Sequence, residues 1–182
     1  MREAFHKMFW GFLFVLLEIH IIVVDILPDP IGYILIILGL AWFRESYNEA
    51  KKAHQFAIVL TVLSIPSVFI SQQAVNQIGT FGSASGTYGF IMQALNLILV
   101  FMVFQLLLKV ADQAGENELV RGTTILFKMY MTVMILALIL PIFTVGVVNP
   151  VFTSLVVVIT LLALVLEIVY LVWLRKFSKL GG

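Results

Sequence analysis

The sequence predicts an all-α, polytopic integral membrane protein with six transmembrane helices, both termini cytoplasmic, forming a single six-helix domain over residues 1–182. Three observations predict it. Apolar residues make up 62% of the 182 and charged residues 12%, against about 45–50% and about 25% in soluble domains, and the mean hydropathy is +1.09. The apolar runs are continuous rather than alternating, and only helices and closed barrels satisfy the backbone in lipid, so the spans are helices. All eleven Lys and Arg residues fall on one side of a six-span reading, as the excess of basic residues in short cytoplasmic loops requires.

The first span runs from Phe9 to Leu27. Arg2 and Lys7 ahead of it give it the look of a secretory signal, but it is too long, holds Glu18 and His20, and lacks a small-residue cleavage site, so it is expected to be retained. Pro28 ends it by disfavouring helix at Leu27. The second span is expected over Pro30 to Ser46, with Asp29 as N-cap and Pro30 at the first helical position, where a missing N–H costs nothing. Its purely apolar stretch, Ile31 to Phe43, covers only about 20 Å at the helical rise. The third, fourth, fifth and sixth spans are expected over Phe56 to Gln72, Tyr88 to Ala111, Thr123 to Val148 and Pro150 to Leu174. Pro66 and Pro141 should kink spans three and five by freeing the carbonyls four residues earlier.

Basic residues set the orientation. Arg2 and Lys7 precede span one; Arg44, Lys51 and Lys52 lie between spans two and three; Lys109, Arg121 and Lys128 surround the link from span four to five; Arg175, Lys176 and Lys179 follow or close span six. The opposite loops, including Ser71 to Gly89, carry none. Trp10, Trp42 and Trp173 fall at the same ends, where an interfacial aromatic belt belongs. The net charge of +1 offers no basic excess for nucleic acid. The absence of cysteine excludes disulfides, thiolate metal sites and Cys nucleophiles.

Ionisable and amide groups inside the hydrocarbon are costly and mark functional candidates. Span one places Gly11, Glu18 and Asp25 on one face at seven-residue spacing, with His20 nearly opposite. Span four offers Gln93 and Asn96 one helical turn apart, with Asn96 expected at the depth of His20 in the outer half. Span six carries Thr153, Thr160 and Glu167 at seven-residue spacing, a stripe of the kind that packs and hydrogen-bonds against a neighbouring helix. Counting along the helices places Glu167 about 10 Å and Lys128 about 8 Å from the cytoplasmic ends of their spans, so the two are expected to form a structural ion pair. The glycine-rich loop Ser71 to Gly89 reads as a tether or as a lid over an outer site.

Catalytic signatures are absent. Gly82 to Gly86 reads G-S-A-S-G, with Ala84 where a nucleophile elbow needs Ser. His6 and His54 belong to the cytoplasmic surface, which leaves His20 as the histidine within a span. No metal, haem or other cofactor is expected.

The segment Asp25-Ile26-Leu27-Pro28-Asp29-Pro30-Ile31-Gly32-Tyr33-Ile34-Leu35 resembles the first hairpin, typically D-I-L-P-D-x-I-G-Y, of small uncharacterised multi-span membrane proteins of Gram-positive bacteria. The resemblance implies a bacterial plasma membrane and supplies no activity. In size, span number and cytoplasmic termini the chain is also similar to the substrate-binding subunits of energy-coupling-factor vitamin transporters. The polar residues lead to the expectation of a transport-type protein or transporter subunit, proton-coupled through a carboxylate such as Glu18. Its partners would be the lipid bilayer and a small-molecule ligand. The alternatives are a non-catalytic partner of another membrane protein (immunity, sensor or assembly factor) and, third, an intramembrane enzyme acting on lipid.

Overall fold

The computed structural model describes residues 1–20, 29–69, 84–144 and 150–180. Among them there are helices and turns and no strand. In chain order the helices are α1 (Arg2–His20), α2 (Asp29–Leu40), α3 (Asn48–Leu63), α4 (Ala84–Gln113), α5 (Asn117–Ile139) and α6 (Pro150–Phe177). Short 3₁₀ segments, Ile65–Phe69 and Leu140–Thr144, follow α3 and α5. Three stretches among the described residues are long and apolar enough to cross a membrane: Gly86–Gln113, Asn117–Phe143 and Pro150–Phe177, with Pro30–Leu40 a shorter apolar helix.

Each helix packs on its neighbour in the chain, and α6 closes back on α1, so the helices form a ring. Backbones approach most closely between α1 and α2. A Cβ on Gly11 would sit 2.6 Å from the carbonyl oxygen of Gly32, and one on Gly39 would sit 2.7 Å from that of Ala4. Small residues seven apart on both helices, Ala4 and Gly11 against Gly32 and Gly39, therefore let two helices meet as they do in lipid, where tight packing replaces the hydrophobic effect between helices. On α3, the fully buried Ala50, Ala53 and Ala57 form a second small-residue seam.

The boundaries correct two expectations. Helix α2 ends at Leu40 instead of running to Ser46, and the N–H groups of Phe43 and Arg44 both donate to the Leu40 carbonyl (3.0 and 3.1 Å). This turn brings the Phe43 ring back into the core, 4.9 Å from that of Phe5, while Trp42 stays exposed. At Pro66 and Pro141 the structure shows an α-helix ending in a 3₁₀ segment where a kink within a continuous helix was expected. A proline cannot supply the next helical N–H, and the tighter 3₁₀ turn is the usual way to close a terminus. Hydroxyls complete the end of α3: Ser64 Oγ donates to Thr61 O (2.9 Å), Ser67 Oγ to Ser64 O (2.7 Å), and Tyr88 of α4 to Leu63 O (2.9 Å). The α4–α5 link closes differently, on Gly115 at φ +72°. There Gly115 N–H reaches Asp112 O and Glu116 N–H reaches Ala111 O (3.0 and 3.1 Å), the paired bonds of a Schellman terminus.

Aromatic contacts gather several helix ends. Phe5 of α1 meets Phe43 after α2 and Phe177 of α6 (ring centroids 4.9 and 5.7 Å), and Trp173 of α6 bonds Thr123 of α5. The start of α1, the α2–α3 link, the start of α5 and the end of α6 thus share one end of the bundle. Cations there lie on aromatic faces: Arg175 over Phe9 at 4.8 Å and Lys176 over Trp173 at 4.6 Å. Along the helices the outer surface is apolar, with Val151 78% exposed and Val158, Leu161 and Val172 also exposed. Soluble monomers rarely expose contiguous apolar patches beyond a few hundred Å², and lipid removes that limit.

Candidate functional site

Between α1, α4, α5 and α6 four aromatic side chains, one from each helix, meet. Tyr170 of α6 lies 5.3 Å from Phe12 of α1, 5.0 Å from Phe104 of α4 and 5.5 Å from Tyr130 of α5, measured between ring centroids. All four are buried. Three of the four, Phe12, Tyr130 and Tyr170, line a cavity of about 20 Å³ together with Val15, Leu16, Asn96, Val100, Glu167 and Leu171.

The cavity is polar at several points in an otherwise apolar interior. Asn96 is 9% exposed and Glu167 7%, and both line it with the two tyrosines. Asn96 reaches the interior because Met92, Asn96, Leu99 and Val103 recur at the three- and four-residue spacing of one helix face, all buried. Glu167 lies on the α6 face formed by Ala163, Leu166, Tyr170, Leu171 and Leu174. Asn96 Oδ1 and the Tyr170 hydroxyl are buried and have no hydrogen-bond partner. Such atoms are rare, and each requires an explanation.

The expected site residues divide as follows. Asn96 and Glu167, read from the sequence as lying in opposite halves of the membrane, line the same cavity. Depth counted along single helices ignores tilt and stagger, which packing sets. Gln93, expected beside Asn96, is exposed, because the 60° between positions i and i+3 is enough to turn it off the buried face. The expected pairing of Lys128 with Glu167 does not appear: Lys128 is exposed and does not line the cavity, while Tyr130, about 200° further round α5, does. Nor do Thr153 and Thr160 extend a packed stripe from Glu167; both are exposed, and Thr160 Oγ1 bonds the Val156 carbonyl of its own helix at 2.9 Å. Asp25 lies outside the described residues, as do the side chains of Glu18 and His20 and the loop segment 70–83.

Sequence reasoning passed over Tyr130 and Tyr170, which it counted as apolar bulk. The available signal was their position well inside spans five and six, where a buried phenol needs a partner for its hydroxyl. Among the described residues the cavity offers one carboxyl, one amide and two phenols, each with an oxygen that can ligate. Among the described residues there is no group of three or more His, Cys, Asp or Glu side chains that could hold a metal ion. At about 20 Å³ it holds roughly one water-sized occupant, far below the roughly 300–1,000 Å³ of pockets that enclose organic ligands. No protein-family model, curated protein or solved structure matches the chain.

Proposed function

We propose that the chain is a six-span protein of a bacterial plasma membrane, with both termini cytoplasmic, and that it is of transport type, passing a proton or a small cation by way of Glu167. The observation that carries this reading is the polar cavity itself: Asn96, Glu167, Tyr130 and Tyr170 converge on it from three helices in an otherwise apolar interior. A carboxylate so placed is expensive in lipid and is the kind of group that proton and ion pathways use. The orientation is supported by the bundle end at which Phe5, Phe43, Phe177 and Trp173 meet, since Arg2, Lys7, Arg44, Arg121, Arg175 and Lys176 belong to the segments gathered there. The cavity's size favours an inorganic ion or a proton over the organic ligand of a substrate-binding subunit.

The test is ion movement in proteoliposomes subjected to proton, sodium or potassium gradients, each read with an entrapped dye sensitive to that ion. Flux above that of empty vesicles, lost in Glu167→Gln, is the expected result. The same leak with and without protein under all three gradients rejects transport as the function.

A further inference from the structure

We infer that the cavity between α4 and α6 is a binding site for one dehydrated monovalent cation of sodium's size, held by Asn96 Oδ1, the Tyr170 hydroxyl and the Glu167 carboxyl. This deepens the transport reading by naming the ion, and it rests on that reading only for its physiological meaning.

Two unsatisfied atoms begin the argument. Asn96 Oδ1 and the Tyr170 hydroxyl oxygen are both buried without a hydrogen-bond partner, on residues 9% and 2% exposed, and both residues line one cavity from different helices. An amide oxygen only accepts, so its partner must be a donor or a cation. Among the described residues no Lys, Arg or His lines the cavity. Among the described lining residues the one carboxyl is that of Glu167, which suits a single positive charge. A divalent ion would leave excess charge in a low dielectric, and calcium sites draw on six to eight oxygens with several carboxylates.

Size narrows the choice further. The volume of about 20 Å³ admits one water-sized occupant, so the ion enters without its hydration shell and polyatomic amines are excluded. Hard oxygen ligands suit alkali ions, whereas the softer transition metals prefer nitrogen and sulfur. The Tyr170 ring is fixed by Phe12, Phe104 and Tyr130 at centroid distances of 5.3, 5.0 and 5.5 Å, so its hydroxyl is held in place at no further cost in side-chain freedom. Phe12 and Phe104 lie nearer the basic end of their helices than Val15, Leu16 and Asn96, so the aromatic cluster lies on that side of the site.

The experiment is a sodium titration of the purified full chain in nanodiscs, with choline chloride holding ionic strength constant, read as thermal stability by tryptophan fluorescence and as equilibrium binding of radioactive sodium. Saturable, equimolar binding that raises the melting temperature is expected, with Asn96→Leu and Tyr170→Phe each weakening affinity fivefold or more and Glu167→Gln abolishing it. Potassium should bind at least tenfold more weakly. Identical melting curves in sodium and choline together with no bound sodium would overturn the site, and so would equal affinity in wild type and Tyr170→Phe. Tyr170→Phe keeps the ring contacts, so it decides the question even if Glu167→Gln fails to fold. Sodium bound without flux in vesicles removes the transport reading and leaves the site standing. Proton flux without sodium binding does the reverse.

Discussion

The indole N–H of Trp173 donates to the hydroxyl of Thr123 at 2.9 Å, tying α6 to α5 close to the basic end of the bundle. Gly122 makes room for the ring, since a Cβ there would stand 2.7 Å from it. Thr123 is fully buried, so Thr123→Val keeps the shape and leaves the indole donor unmatched. A loss of about 0.5–1.5 kcal/mol is expected for Thr123→Val or Trp173→Phe, with a coupling of roughly 0.6 kcal/mol in the double mutant. Reversible unfolding in mixed micelles measures both, and strictly additive effects would show that the bond contributes nothing.

The α1–α2 contact is expected to tolerate side chains poorly. Gly11→Ala places a methyl 2.6 Å from Gly32 O and from Ile36 Cγ1, an overpacking that costs about 1–3 kcal/mol. Gly11→Leu should abolish assembly of the monodisperse protein. Gel filtration of the purified variants checks this ranking, and a wild-type-like Gly11→Leu would mean that the helices do not meet there.

At Gly115 the cost is conformational. Nothing lies within 4 Å of a Cβ on this residue, but its φ is +72°. Gly115→Ala should cost about 1–2 kcal/mol through the left-handed backbone alone, and Gly115→Asn less, because Asn visits that region more readily. Melting temperatures of the two variants, taken side by side, give the comparison.

His54 on α3 should make stability depend on pH. Partial burial, and after it the positive charge of Arg44, holds its imidazole below the ordinary value of 6.5. The native state therefore resists protonation more than the unfolded chain does. Its contribution is fully present above about 6.5 and is lost as pH falls from there through the lowered native value. His54→Gln should flatten that part of the stability profile between about pH 7.5 and pH 5. An unchanged slope would assign the dependence to other groups.

Single cysteines report orientation directly in a chain that has none. Ser178→Cys, after α6, should react with an impermeant maleimide only in opened cells, and Ser83→Cys in intact ones. External labelling of Ser178→Cys would reverse or discard the six-span reading.

By itself the sequence determined that the chain is helical and too apolar for a soluble surface, and it marked where the long helices lie. Spans four, five and six were legible because lipid crossing demands some twenty consecutive apolar residues whatever the neighbours are, and the helices over Gly86–Gln113, Asn117–Phe143 and Pro150–Phe177 match them within a few residues at most ends. It also singled out Asn96 and Glu167, since polar groups in hydrocarbon are conspicuous in any one helix. Tertiary structure decided what those groups meet. Packing brings Asn96 to the same cavity as Glu167, the rotation of α5 presents Tyr130 and leaves Lys128 outside, and the closure of α6 on α1 sets Phe12 against Tyr170. The glycine contact of α1 with α2 and the turn that ends α2 at Leu40 were decided there as well. Helix formation in lipid is dictated by local backbone hydrogen bonding, which is written residue by residue. Which faces meet depends on packing summed over all the helices together, and no single span encodes that.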